Sequence, residues 1–131
     1  MNIAIVVSHP IQHFCPMYAS WAKNEKIRLK VFFASNLGSV AYYDSNFGKA
    51  IKWDNLYLHE FDHCFLNGEK TCEVNKNLDA INLEIELNDF QPDLVIQYGR
   101  IYRFNKRLRH WLRNNNNVKS AYISDSEDRH I

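Results

Sequence analysis

The sequence predicts an α/β domain in three layers, with helices on both faces of a mainly parallel sheet. Three observations carry this. Asn2-Ile-Ala-Ile-Val-Val7 is apolar at consecutive positions, as a strand buried on both faces must be. Asp93-Leu-Val-Ile-Gln-Tyr98 repeats the pattern late in the chain. Segments with helical spacing of apolar residues alternate with these strands, and that alternation calls for parallel neighbours joined by right-handed crossovers.

The first strand is Ile3–Val7. Pro16 suits the first turn of a helix, where its missing N–H costs nothing; that helix is expected to run to about Asn24 with Met17, Trp21 and Tyr18 inward. Ile27–Phe33 alternates and then becomes wholly apolar, a second strand. Leu78–Phe90 reads as a helix with Leu78, Ile81 and Ile85 on one face, Leu87 and Phe90 extending it, and Asp79, Glu84, Glu86 and Asp89 in water. Pro92 stops it. After the strand Asp93–Tyr98, Gly99 turns the chain into a helix from Ile101 to Arg113, its apolar face Ile101, Phe104, Leu108, Trp111 and Leu112. Asn114–Asn117 break that helix, and Val118–Ser124 is the last strand. The stretch Ala34–Asn77 is a long excursion rich in aromatics, within which Leu56–Phe61 has the alternation of one more strand. The whole is a Rossmann-like pattern occupying residues 1–131 as one domain.

Composition narrows the function classes. Hydrophobic residues make up 46% and charged residues 24%, the balance of a folded globular domain rather than a disordered one. A net charge of +1 supplies no general attraction to nucleic acid, which is not an expected partner. Cys15, Cys64 and Cys72 form no CxxC pair, and an odd count suits a reducing compartment. No stretch approaches the roughly twenty apolar residues of a membrane span. A cytoplasmic protein is expected.

Chemistry concentrates where the first strand ends, in Ser8-His-Pro-Ile-Gln-His-Phe-Cys-Pro16. Open parallel sheets bind ligands outside the carboxyl ends of their strands. This turn has two imidazoles and no glycine, so it is a poor cradle for a dinucleotide pyrophosphate and a better place for a neutral, hydroxylated group. His9 and His13 are candidates for hydrogen bonding or proton transfer near neutral pH; the plainer alternative is a helix cap or a bond to a loop carbonyl. Ser8 and Gln12 are candidate hydroxyl binders. His9, His13 and Cys15, and His59, His63, Cys64 and Cys72, lack the spacing of a structural zinc site, so no metal is expected. Arg100, Arg103, Lys106, Arg107, Arg109 and Arg113 make one helix basic. That face suits an anion or a peripheral membrane contact, although a solvated side opposite the Phe104/Leu108/Trp111 stripe explains it as well. Arg100, just past a strand end, is positioned for the ligand crevice. Asp125, in Ser124-Asp-Ser-Glu-Asp128, is a candidate base or hydroxyl binder, or equally a helix N-cap.

The opening Ile3-Ala-Ile-Val-Val-Ser-His-Pro-Ile-Gln-His-Phe-Cys-Pro16, taken with Val31-Phe-Phe-Ala-Ser35, Tyr42-Tyr-Asp44, Phe47-Gly48 and Lys52-Trp-Asp54, resembles the N-terminal domain of bacterial GT-B glycosyltransferases of the family 4 type. The similarity extends to Pro92-Asp-Leu-Val-Ile96 and the final Ser-Asp-Ser segment. The resemblance implies two Rossmann-like domains facing across a cleft, the N-terminal one binding the acceptor and the C-terminal one most of a nucleotide-sugar donor. It implies transfer of the hexosyltransferase type to a sugar, glycan or lipid-linked acceptor, without a metal or other cofactor. On this expectation His13 and Asp125 are catalytic, while Ser8, His9, Gln12, Tyr43, Trp53 and Arg100 bind substrate. The chain would then be the acceptor-side half, inactive alone, meeting the nucleotide-sugar only with a C-terminal donor domain. The alternatives are a non-catalytic ligand-binding or interaction module using the same crevice, and a nucleotide-binding oxidoreductase domain, which the glycine-free turn disfavours.

Overall fold

The computed structural model describes residues 1–11, 14–37, 42–44, 49–51, 57–68, 70 and 72–123, with 42–44 and 49–51 described by backbone alone. Five strands form an all-parallel sheet in the order β5-β2-β1-β6-β7: β1 (Asn2–Val7), β2 (Arg28–Phe33), β5 (Asp62–Phe65), β6 (Leu94–Tyr98) and β7 (Lys119–Ile123). The expected architecture is present, a Rossmann-like α/β sheet flanked by helices with the first strand in the middle.

The apolar run in β1 buries both faces. Ala4 and Val6 join Phe32, Val95, Leu83, Leu87, Phe104 and Leu108 in one core, under the helices α2 (Leu83–Phe90) and α3 (Arg103–Arg113). Ile5 and Val7 join Val31, Phe33, Tyr18 and Phe61 in the other, under α1 (Cys15–Ala22). All four of these β1 side chains are at most 1% exposed.

Several boundaries and faces differ from the sequence expectation. In α1 the buried residues are Cys15, Tyr18 and Ala19, while Trp21 is 37% exposed. The helix expected over Leu78–Phe90 begins only at Leu83. Leu78 and Ala80 are buried in a non-helical segment that supplies acceptors for the first N–H groups of α3: Arg103 N donates to Lys76 O and Phe104 N to Leu78 O, both at 3.0 Å. The Asn67 amide also donates to Asp79 O at 2.8 Å. The buried face of α2 is therefore Leu83, Leu87 and Phe90, and Ile81 and Ile85 stand in water. Ile101 likewise precedes α3 and is exposed, whereas Phe104, Leu108 and Trp111 are buried as expected.

Of the expected strand Leu56–Phe61, Leu56 lies outside the described residues and 57–61 are not a strand. Residues 58–60 form a 3-10 turn entered through Tyr57 at φ +57°, and the strand is the following Asp-His-Cys-Phe of β5. Within the aromatic excursion, β3 (Tyr42–Asp44) and β4 (Lys49–Ile51) form an antiparallel hairpin with Tyr43 opposite Ala50. The basic helix is less bare than its own sequence suggests. Arg107 clasps Asp79 and Glu84, with nitrogen–oxygen distances of 2.8 and 3.1 Å. Among the described residues, no helix is long and apolar enough to cross a membrane.

Candidate functional site

The chain leaves β1 and β6, which are neighbours, toward opposite faces: β1 into α1 on one side, β6 into α3 on the other. That divergence opens a crevice at the carboxyl edge of the sheet, the place where open α/β sheets hold ligands. The β1–β6 register ends with Val6 opposite Gln97. Two residues further lie Ser8 on one strand and Gly99 on the other.

Ser8 is 4% exposed and fixed on both sides. Its carbonyl accepts the Ser35 N–H at 2.7 Å, which extends the β1–β2 ladder past the strand ends. Its hydroxyl lies 2.8 Å from Nδ1 of His9. Burial lowers the pKa of the His9 imidazole below its ordinary value of 6.5, so the ring is neutral at pH 7. When the Ser8 hydroxyl donates to Nδ1, the neutral ring carries its proton on Nε2 and becomes a donor there. Pro10 is buried and Ile11 O accepts the N–H groups of Phe14 and Cys15 at 2.9 and 3.1 Å, which sets the entry into α1. Pro16 sits in the first turn of that helix, as expected. Below the turn, Phe14 and Tyr98 lie 5.3 Å apart between ring centroids, and Tyr18 stacks on Tyr98. Burial and the neighbouring Tyr98 push the Tyr18 phenol far above the ordinary tyrosine range, so it stays a neutral part of this aromatic floor. Cys15, fully buried behind the turn with its thiol pushed up to about 11, is protonated at neutral pH and is no nucleophile.

On the β6 side, Gly99 holds φ +80°, and a Cβ there would meet the Tyr102 ring at 3.2 Å. Only glycine makes this turn without strain. The fully buried Asn105 ties the turn to α3, accepting Tyr102 N–H at 3.2 Å and donating to Tyr98 O at 3.4 Å. Arg100 follows Gly99, and its guanidinium rests 5.7 Å above the Tyr122 ring, toward the β7 edge.

Of the residues predicted from sequence, Ser8, His9 and Arg100 are therefore at the carboxyl edge, with Ser8 and His9 joined. Gln12, His13, Trp53 and Asp125 lie outside the described residues, and Tyr43 is placed by its backbone in β3. Sequence reasoning passed over Ser35 and Asn36, which follow β2 and are 1% and 4% exposed at the same edge. The Ser35 hydroxyl donates to Cys72 O at 2.6 Å and accepts Leu37 N–H at 3.1 Å. The available signal was an apolar run, Val31–Ala34, passing straight into Ser35-Asn36, the same switch from apolar to polar seen after β1. Among the described residues, no three His, Cys, Asp or Glu side chains gather where they could hold a metal ion. The described edge is therefore built of hydroxyl, amide and neutral imidazole groups, mostly buried and hydrogen-bonded within the fold. Comparison with protein families, with curated proteins and with solved structures gives no match.

Proposed function

We propose that this chain is the acceptor-binding domain of a nucleotide-sugar-dependent glycosyltransferase, and that the carboxyl edge of β1 and β6 is where the acceptor sits. The observation that carries the reading is the Ser8–His9 pair, held rigidly at the strand-order switch in a turn with no glycine. Such a turn does not cradle a pyrophosphate, but it offers paired donors and acceptors to sugar hydroxyls. The resemblance of Ser8-His-Pro-Ile-Gln-His13 to GT-B acceptor domains supplies the reaction class. In this reading His13 accepts the proton of the attacking acceptor hydroxyl while the Ser8–His9 pair holds the acceptor, and the donor comes from a second domain. His13 and Asp125 are the proposed catalytic groups, and Gln12, Tyr43, Trp53 and Arg100 complete the sugar contacts.

The test uses protein expressed from the complete reading frame, incubated with uridine, guanosine and adenosine diphosphate sugars and a panel of saccharide acceptors. Appearance of a glycosylated product with release of nucleoside diphosphate is the expected result. Saccharide binding without any transfer would instead make the domain a ligand-binding module. If a second domain supplies the donor site, the 131-residue chain alone should hold none of the nucleotide-sugars at micromolar concentration; tight binding would favour a nucleotide-binding domain.

A further inference from the structure

We propose that the groove between α3 and β7, on the α3 side of the sheet, is a binding site for a phosphate monoester. Val95 pairs with Ser120 and Gln97 with Tyr122, so Gln97, Ser120 and Tyr122 face the same side of the sheet as α3. The helix packs over the centre of the sheet through Phe104, Leu108 and Trp111 and leaves residues 119–122 of the edge strand exposed. A groove of about 370 Å³ remains, lined by Gln97, Arg109, Leu112, Arg113 and Ser120.

Two independent features of this groove point to an anionic, hydroxylated ligand. The first is Gln97. It occupies a position between Ile96 and Tyr98 in an otherwise apolar strand, is 8% exposed, and has a buried Oε1 with no hydrogen-bond partner. An unsatisfied buried amide costs about 1–3 kcal/mol, and an apolar side chain would avoid that cost. Oε1 is covered in this structure, so a ligand hydroxyl or P–OH satisfies it once the side chains over it turn aside. The second is charge. Arg107 is neutralised by Asp79 and Glu84, but Arg109 and Arg113 have no carboxylate partner among the described residues. They stand four residues apart, so they share one side of the helix, where like charges oppose helix formation. Arg113 gains from the negative end of the helix; Arg109 lies a turn further in. Arg109 is oriented by a bond from Nη1 to Arg100 O at 3.4 Å, and no acidic residue among the described ones lines the groove. Two guanidinium forks match the oxygens of a phosphoryl group, and the Ser120 hydroxyl adds a donor at the opposite wall.

The phosphoryl group has two possible sources, a soluble phosphate monoester and a lipid headgroup. Inorganic phosphate is titrated into the isotopically labelled chain at constant ionic strength, with chloride as the balancing anion. The expected result is a saturable shift shared by the Gln97 side-chain amide and the backbone amides of Ser120 and Arg113. Arg109→Gln with Arg113→Gln should weaken the apparent affinity at least about tenfold, the loss of a charge-assisted contact. Gln97→Leu should weaken it while keeping the thermal melt. Arg103→Gln with Lys106→Gln, on the same helix but outside the groove, should leave it unchanged. Phosphatidylcholine vesicles with and without phosphatidic acid then separate the sources. Sedimentation with phosphatidic acid that Arg109→Gln/Arg113→Gln abolishes assigns the lipid headgroup, and no sedimentation beside an intact phosphate isotherm assigns a soluble ligand. Shifts that grow linearly, that chloride reproduces, or that Arg103→Gln/Lys106→Gln weakens equally would overturn the site.

Discussion

The Ser8 hydroxyl and the Nδ1 of His9 stand 2.8 Å apart at the point where the central strand leaves the sheet. Adjacent residues rarely face one another in a strand, where side chains alternate. The pair therefore depends on the turn, held by the Ser35 N–H on one side and by buried Pro10 on the other. Burial of this imidazole has a consequence for stability. The unfolded chain, with His9 at its ordinary value of 6.5, takes up a proton more readily than the folded chain. Stability should therefore fall as pH drops below 6.5, and level off once the folded ring is protonated too. Urea denaturation between neutral and mildly acidic pH should show that fall in the wild type and a flatter profile in His9→Gln. Equal slopes would mean that His9 is not buried as described.

Gly99→Ala tests the other half of the crevice. The φ of +80° and the 3.2 Å approach to Tyr102 both oppose a side chain there. The expected cost is about 1–2 kcal/mol, from the left-handed backbone and the crowded ring. Chemical denaturation measures it, and a variant as stable as the wild type would contradict the turn geometry.

The two apolar stripes of the Leu78–Phe90 segment give a sharper stability test. Leu87→Ala should lose about 2–5 kcal/mol, because Leu87 is fully buried between α2 and the sheet. Ile85→Ala should change stability by less than about 0.5 kcal/mol, since Ile85 is 66% exposed. The reverse order would contradict the burial of Leu87 and put Ile85 back on the apolar face, where the sequence placed both.

That segment also shows where sequence legibility stops. Leu78, Leu87 and Phe90 were expected on the apolar face and are buried, but Ile81 and Ile85, also expected there, are exposed while Leu83 is buried, because periodicity alone does not choose between overlapping stripes. The choice is made by contacts distant in sequence: α3 takes the carbonyls of Lys76 and Leu78, so the helix starts late and turns Leu83 inward. β5 escaped for a related reason. Asp62-His-Cys-Phe is a short edge strand with little apolar alternation, recognisable only beside Lys30–Phe33 of β2. The continuous apolar strands β1 and β6 were legible because burial on both faces leaves its mark on every residue. At the site, the Ser8–His9 turn and Gly99 were visible as polar or flexible residues ending apolar strands. The partnership of Ser8 with Ser35 was not, since it joins turns far apart in the chain.

His13→Ala, made in protein from the complete reading frame, should lower sugar transfer at least about tenfold, the low end for a lost proton-transfer or positioning group. Stability should fall by less than about 1 kcal/mol, the expectation for a group that serves the substrate rather than the core. Kinetics and melting on one preparation decide it: unchanged turnover, or a loss explained by unfolding, would remove His13 from the catalytic set.

The central claim is that the acceptor occupies the carboxyl edge at β1 and β6, and chemical-shift mapping of the labelled chain during titration with saccharide acceptors tests it most directly. The account predicts saturable shifts centred on Ser8, His9, Gly99 and Arg100. Those shifts should disappear in Ser8→Ala/His9→Ala while the remaining spectrum stays folded. Shifts centred instead on the opposite edge of the sheet, around Asn2, Asp93 and Asn117, would contradict it.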